Sequence, residues 1–131
     1  MRRILLYLLL LAVMCSCCND IVIDEKWLED NYSKTEAMVT MRDGVKLYTS
    51  VYQPVDSDDR PVLLVRTPYS CAPYGDGWKG DLTEYMTEFL RNKYILVFQD
   101  VRGRYMSEGE YENVRPYNPD KSGNEIDEAS D

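Results

Sequence analysis

The stretch Pro61-Val62-Leu63-Leu64-Val65-Arg66-Thr67-Pro68-Tyr69 places the tightest limit on what this chain can fold into. It is apolar at successive positions rather than at every second one. From Pro61 to Arg66 that pattern predicts a strand buried on both faces. Pro68 disfavours helix at Thr67, so the chain should leave the sheet extended. Tyr69 is then expected at the carboxyl end of a central strand, where open α/β sheets hold their ligands.

A second run of the same kind, Tyr94-Ile95-Leu96-Val97-Phe98, follows after a helical pattern. Between the two, Leu82, Tyr85, Met86, Phe89 and Leu90 recur at the spacing of one helix face, which predicts an amphipathic helix over Asp81–Asn92. Asp81 and Glu84 have the spacing of a capping box. Strand, helix and strand in that order predict a right-handed crossover and parallel strands. Upstream, Ala37, Val39 and Met41 alternate with polar residues, as in a half-buried strand. Arg42-Asp43-Gly44 reads as a turn and nothing more. Val45, Leu47, Thr49 and Val51 then alternate with Lys46, Tyr48, Ser50 and Tyr52, which completes an antiparallel hairpin. The predicted class is α/β. Pro54–Arg60 is a polar loop. Thr67–Gly80 is a long loop rich in Gly, Pro and Tyr, of a length that usually carries function. Tyr105–Asp131 is polar, and its end, Ile126–Asp131, is expected to open a helix.

The first residues have a different character. Met1-Arg2-Arg3 is basic, Ile4–Met14 is an apolar run too short to span a bilayer comfortably, and Cys15-Ser16-Cys17-Cys18 follows. This is the pattern of a secretory signal. Because the run ends at cysteines, it is similar to bacterial lipoprotein signals, in which a Cys becomes the lipidated first residue. Cys17, preceded by small Ser16, is the better candidate, with Cys18 the alternative. The chain would then be exported and held at a membrane surface by a lipid anchor, or periplasmic. The expected division is a signal over 1–17, a tether over 18–35 and a domain over 36–131. The 131 residues allow one small domain at most, and the net charge of −8 argues against a nucleic-acid partner. No disulfide framework or metal-binding Cys spacing occurs, and no cofactor is implied.

Three blocks, Met41-Arg42-Asp43-Gly44-Val45-Lys46-Leu47, Arg66-Thr67-Pro68-Tyr69 and Gln99-Asp100-Val101-Arg102-Gly103-Arg104-Tyr105-Met106-Ser107-Glu108-Gly109-Glu110-Tyr111, together resemble the cocaine esterase and α-amino-acid ester hydrolase family. These serine hydrolases are related to the X-prolyl dipeptidyl-peptidases. The resemblance covers roughly Glu36–Asp131, and Val114-Arg115-Pro116 leans toward the amino-acid ester hydrolase branch. It implies an α/β-hydrolase core in which a nucleophilic Ser sits on a strand-to-helix elbow one strand beyond this sequence, with a His and an Asp to follow. It also implies that Tyr69 donates its hydroxyl to the oxyanion of the tetrahedral intermediate, the other donor being the backbone N–H after the nucleophile.

The sequence departs from that pattern decisively. It contains no His, so no Ser–His–Asp triad can be assembled from it. It has no G-x-S-x-G; Tyr105-Met106-Ser107-Glu108-Gly109 lacks the first Gly and the strand-elbow-helix setting, so Ser107 is not expected to be a nucleophile. The chain is expected to be the N-terminal part of a longer hydrolase of ester or amide bonds, inactive alone. Its partners would be a small ester or peptide-like substrate and the missing C-terminal portion. The alternative is a non-catalytic surface lipoprotein, either a pseudoenzyme remnant or a binding module. Asp100, Arg102 and Gly103 are expected to close a loop near the site, Arg102 by forking onto a carboxylate and Gly103 by adopting backbone angles other residues resist. Cys71 has no His or cationic cluster beside it and reads as an unactivated thiol. The acidic residues after Glu108 lack the spacing of a calcium loop. Trp27 and Trp78 carry no functional signal.

Overall fold

A computed structural model describes residues 21–56, 59–127 and 130–131. The signal and lipidation positions, Cys17 and Cys18 included, lie outside the described residues. Four strands form one sheet in the order β1-β2-β4-β3. β1 (Tyr32–Thr40) and β2 (Lys46–Pro54) make the hairpin, in register from Tyr32 opposite Pro54 to Thr40 opposite Lys46. The Arg42-Asp43-Gly44 turn closes it through the Met41 N–H on the Val45 carbonyl at 2.8 Å. β2 runs antiparallel to β4 (Ile95–Asp100), and β3 (Val62–Thr67) lies parallel to β4. The mixed α/β class and the hairpin followed by a parallel strand pair are therefore as the sequence predicts.

Several expectations are corrected. The segment read as a tether is folded: Glu25–Asn31 is helix α1, and Leu28 and Tyr32 are 1% and 2% exposed in the core. The Asp24 side chain caps α1 by accepting the Trp27 N–H at 2.8 Å, a cap that a polar, acidic stretch conceals among its other carboxylates. The single helix over 81–92 is two short ones, α2 (Asp81–Tyr85) and α3 (Thr87–Arg91), because Met86 leaves helical angles at φ −111 and ψ 10. The capping box does not form: Gly80 is the cap residue and Asp81 lies inside the helix, where it pairs with Lys79 at 3.2 Å. The described residues of Ile126–Asp131 contain no helix.

The last correction concerns burial. The core lies on one face of the sheet, where Tyr48, Tyr52, Leu96 and Phe98 meet Leu28, Cys71, Leu82 and Leu90. On the other face Val62 and Leu64 are 61% and 51% exposed, so β3 is not buried on both sides. Among the described residues it is an edge strand of the sheet, paired on one side only. β1, at the opposite edge, is exposed from Thr35 to Thr40, so its expected half-burial fails: Met38 and Val39 are 41% and 39% exposed. Trp27 and Trp78 pack against the core beside Tyr32 and Tyr52, at centroid distances of 6.0 Å and 5.8 Å.

A parallel pair with one open face and one open edge is an association surface. Dye binding and concentration-dependent association are expected for the isolated chain. Leu64→Lys should reduce both while changing unfolding free energy by no more than about 0.5 kcal/mol, as at exposed sites. Leu28→Ala should cost about 2–5 kcal/mol in denaturant unfolding; no loss would return the segment to the status of a tether.

Candidate active site

Thr67 and Asp100 are paired residues at the carboxyl ends of the parallel strands, so the loops that follow β3 and β4 leave the sheet side by side. Pro68 turns the first loop away, and the Tyr69 N–H is tied back to Thr67 Oγ1 at 3.0 Å. The Tyr69 side chain is 83% exposed. It borders a groove of about 390 Å³ lined also by Val65, Lys79, Asp81, Tyr85, Met86 and Phe98. The phenol thus stands at the rim of an apolar groove, free to meet a bound group.

Asp100 holds the surrounding loops. Its carboxylate is fully buried and accepts the Cys71 N–H at 2.7 Å and the Tyr74 hydroxyl at 2.9 Å. The Tyr74 oxygen also lies 3.0 Å from Ser70 Oγ, and its ring stands edge-on to Tyr48 at 4.9 Å. Burial, with the Asp100 carboxylate adding to it, pushes the Tyr74 hydroxyl up to about 12, so it remains a donor. The Cys71 thiol is buried and pushed upward, first by that burial and then by Asp100. A thiol held protonated is a weak nucleophile.

Past β4, Arg102 is 6% exposed and spreads its guanidinium over two carboxylates. It donates to both oxygens of Asp43, at 2.7 Å and 3.2 Å, and from Nε to Asp131 at 2.8 Å. The Arg42-Asp43-Gly44 turn is therefore more than a hairpin turn: Asp43 anchors the loop after β4. The Arg102 hydrogen bonds hold the Asp43 carboxyl below its usual range. Gly103 sits at φ 68, and a Cβ there would lie 2.1 Å from the Tyr111 nitrogen. Ser107 is fully engaged in structure: its Oγ donates to the Asp100 carbonyl at 2.7 Å and accepts the Tyr48 N–H at 2.9 Å.

The structure thus brings Asp100, Arg102 and Gly103 to the strand ends next to Tyr69, with Tyr69 itself outside their hydrogen-bond network. Sequence reasoning read Asp43 only as a turn residue and missed Tyr74. Neither spacing nor periodicity marks them, since their partners lie 59 and 26 residues away along the chain.

The model of the X-Pro dipeptidyl-peptidase (S15) family matches residues 43–129, beginning at Asp43, the anchor of Arg102. The chain belongs to that family. This S15-family chain is 42% identical over 85 residues to the cocaine esterase of Rhodococcus sp. (strain MB1 Bresler), a match that takes in 64% of this chain and 14% of the esterase. It superimposes on a solved α-amino acid ester hydrolase with a TM-score of 0.65 at 33% identity, covering 89% of this chain and 19% of that one. An aminopeptidase from a marine sediment archaeon (Thaumarchaeota archaeon) matches with a TM-score of 0.58 at 32% identity, over 77% of this chain and 17% of that one. These relatives are hydrolases, and the chain spans under a fifth of each of the three.

Two outcomes are expected. Gly103→Ala should unfold the 101–111 loop, read as loss of the amide resonances of position 103 and Tyr111 from their folded positions. Asp43 has a depressed folded pKa, so its contribution is present above the unfolded value and lost as pH falls through the folded one. Stability should therefore fall on acidification below about pH 4, and Asp43→Asn should flatten that slope. Equal slopes in thermal unfolding would remove Asp43 from the account.

Proposed function

We propose that these 131 residues are the amino-terminal part of a serine hydrolase with an α/β-hydrolase fold, cleaving ester or amide bonds, in which Tyr69 is one oxyanion donor. The observation that carries this is the position of Tyr69. Its phenol is exposed at an apolar groove two residues past the carboxyl end of β3, where hydrolases of this fold keep an oxyanion donor. The sheet order supports the rest. β3 lies at the edge, so the strand bearing the nucleophile elbow would pair there, with its following helix over the groove.

The roles follow from the chemistry. A Ser on the elbow attacks the acyl carbonyl while a His takes its proton. The Tyr69 hydroxyl and the N–H after the nucleophile receive the oxyanion; its collapse breaks the ester or amide bond, the leaving alcohol or amine takes the proton from the His, and water then hydrolyses the acyl-enzyme. Neither Ser nor His of that set belongs to these residues: no His occurs, and Ser107 is committed to the Asp100 carbonyl. Asp100 and Arg102 act by holding the loops that flank Tyr69. The substrate is a small ester or peptide-like molecule. Export and lipid anchoring at Cys17, or Cys18, complete the proposal.

The chain alone should show no ester hydrolysis above background, and activity abolished by Ser107→Ala would overturn the assignment. Joined in frame to the part of the α-amino acid ester hydrolase that follows its matching segment, it should hydrolyse amino-acid esters. Tyr69→Phe should then lower kcat by about 10²–10³; an unchanged kcat removes Tyr69 from the site. Radioactive fatty acid should label the exported chain and be lost in Cys17→Ser; label retained there assigns Cys18, and no label refutes the anchor.

A further inference from the structure

Lys34 reaches the loop after β3 from β1, at Pro73, Gly75 and Gly77, where Asp100 holds Cys71 and Tyr74. It projects from β1, and its side chain is only 7% exposed. Its ammonium donates to the backbone carbonyls of Pro73 at 2.8 Å, Gly77 at 3.0 Å, and Gly75, and it pairs with the Glu36 carboxylate at 2.9 Å. The same Glu36 oxygen accepts the Gly75 N–H at 2.7 Å. Gly75 takes φ 78, in the left-handed region, where its N–H reaches Glu36 while its carbonyl reaches Lys34. The face of Tyr52 lies 5.9 Å from the ammonium. A desolvated ammonium is costly unless each N–H finds an oxygen, and here three loop carbonyls and a carboxylate supply them. A compact ammonium with three donors suits converging carbonyls, where a planar guanidinium would not.

The shell reaches toward the candidate donor. Pro73 and Gly75, both held by Lys34, flank Tyr74. The Tyr74 hydroxyl donates to Asp100 at 2.9 Å, which leaves its oxygen to accept from Ser70 Oγ at 3.0 Å. Ser70 follows Tyr69 and is itself held at φ 88. We propose that Lys34 is a positioning residue, a fixed internal cation around which residues 73–77 fold, and that through Tyr74 and Ser70 it sets the place of Tyr69. The consequence for Tyr69 rests on its reading as an oxyanion donor; the ordering of the loop does not.

Hydrogen exchange read by mass spectrometry on the dilute chain tests the ordering without any assay of hydrolysis. Lys34→Met should raise exchange across residues 72–80 by about tenfold while the β2 and β4 amides keep their protection, as expected for a local opening. Glu36→Gln, which keeps the ammonium and removes its counter-charge, should produce a smaller rise confined to the same residues. In Lys34→Ala, propylammonium, which replaces the lost atoms, should restore protection of the loop, and sodium at equal ionic strength should not. Unchanged loop exchange in Lys34→Met overturns the proposal. So does a rise spread equally over the strands in both Lys34→Met and Glu36→Gln, or a loop that propylammonium fails to restore. In the joined hydrolase, Lys34→Met should lower kcat with Tyr69 present and add nothing to Tyr69→Phe. A failed Tyr69 role would therefore appear there, with the exchange result intact.

Discussion

The buried carboxylate of Asp100 is the interaction on which the candidate site depends. It closes β4 opposite Thr67, so it stands where the loops after β3 and β4 begin. One oxygen takes a backbone N–H from the loop after β3; the other takes the Tyr74 hydroxyl. The carbonyl of the same residue receives Ser107 from the loop after β4. A fully buried carboxylate without such donors would be strongly destabilising, so each of these bonds is enforced by the cost of losing it. That is how a flexible-looking stretch of Gly, Pro and Tyr is given one shape. Lys34 supplies the opposite charge at the far end of the same loop, and Arg102 ties the second loop to the hairpin turn through Asp43.

The sheet is as informative where it lacks cover as where it has it. Val62 and Leu64 on β3 are apolar and exposed, and the groove under Tyr69 opens at the same edge. Burying one such side chain contributes about 1.5–3 kcal/mol, so several left open weigh against the whole stability of a small domain. The apolar pattern and the exposure are reconciled if more polypeptide covers this edge. The chain spans 14% to 19% of the three relatives compared, which leaves most of each relative's length to supply such cover.

Much of this was legible in the sequence, for definable reasons. The Asp-Gly turn and alternating residues around it announced the hairpin, and the two continuous apolar runs announced the parallel pair. What failed was whatever depended on distant partners. Leu28 and Tyr32 lay hidden in an acidic stretch because two buried residues make no period. β3 read as central because a run of apolar residues reports the environment it suits, and here that environment is incomplete. The break at Met86 left no mark, since the apolar spacing passes through it unchanged. At the site, the Arg-Thr-Pro-Tyr block marked Tyr69 by resemblance. Lys34 and Glu36 were passed over, one in the supposed tether and the other at the start of an ordinary strand, because a ring of backbone carbonyls has no sequence signature.

The central claim is that Tyr69 faces a developing oxyanion at the end of β3. The most direct measurement is a crystal structure of the chain joined to a complementary hydrolase portion and bound to a boronic acid that forms a tetrahedral adduct. The account predicts the Tyr69 hydroxyl about 2.7–3.1 Å from one boronate oxygen, the distance required of an oxyanion donor. A boronate held with Tyr69 turned to solvent, and its oxygen satisfied by other groups, would contradict it.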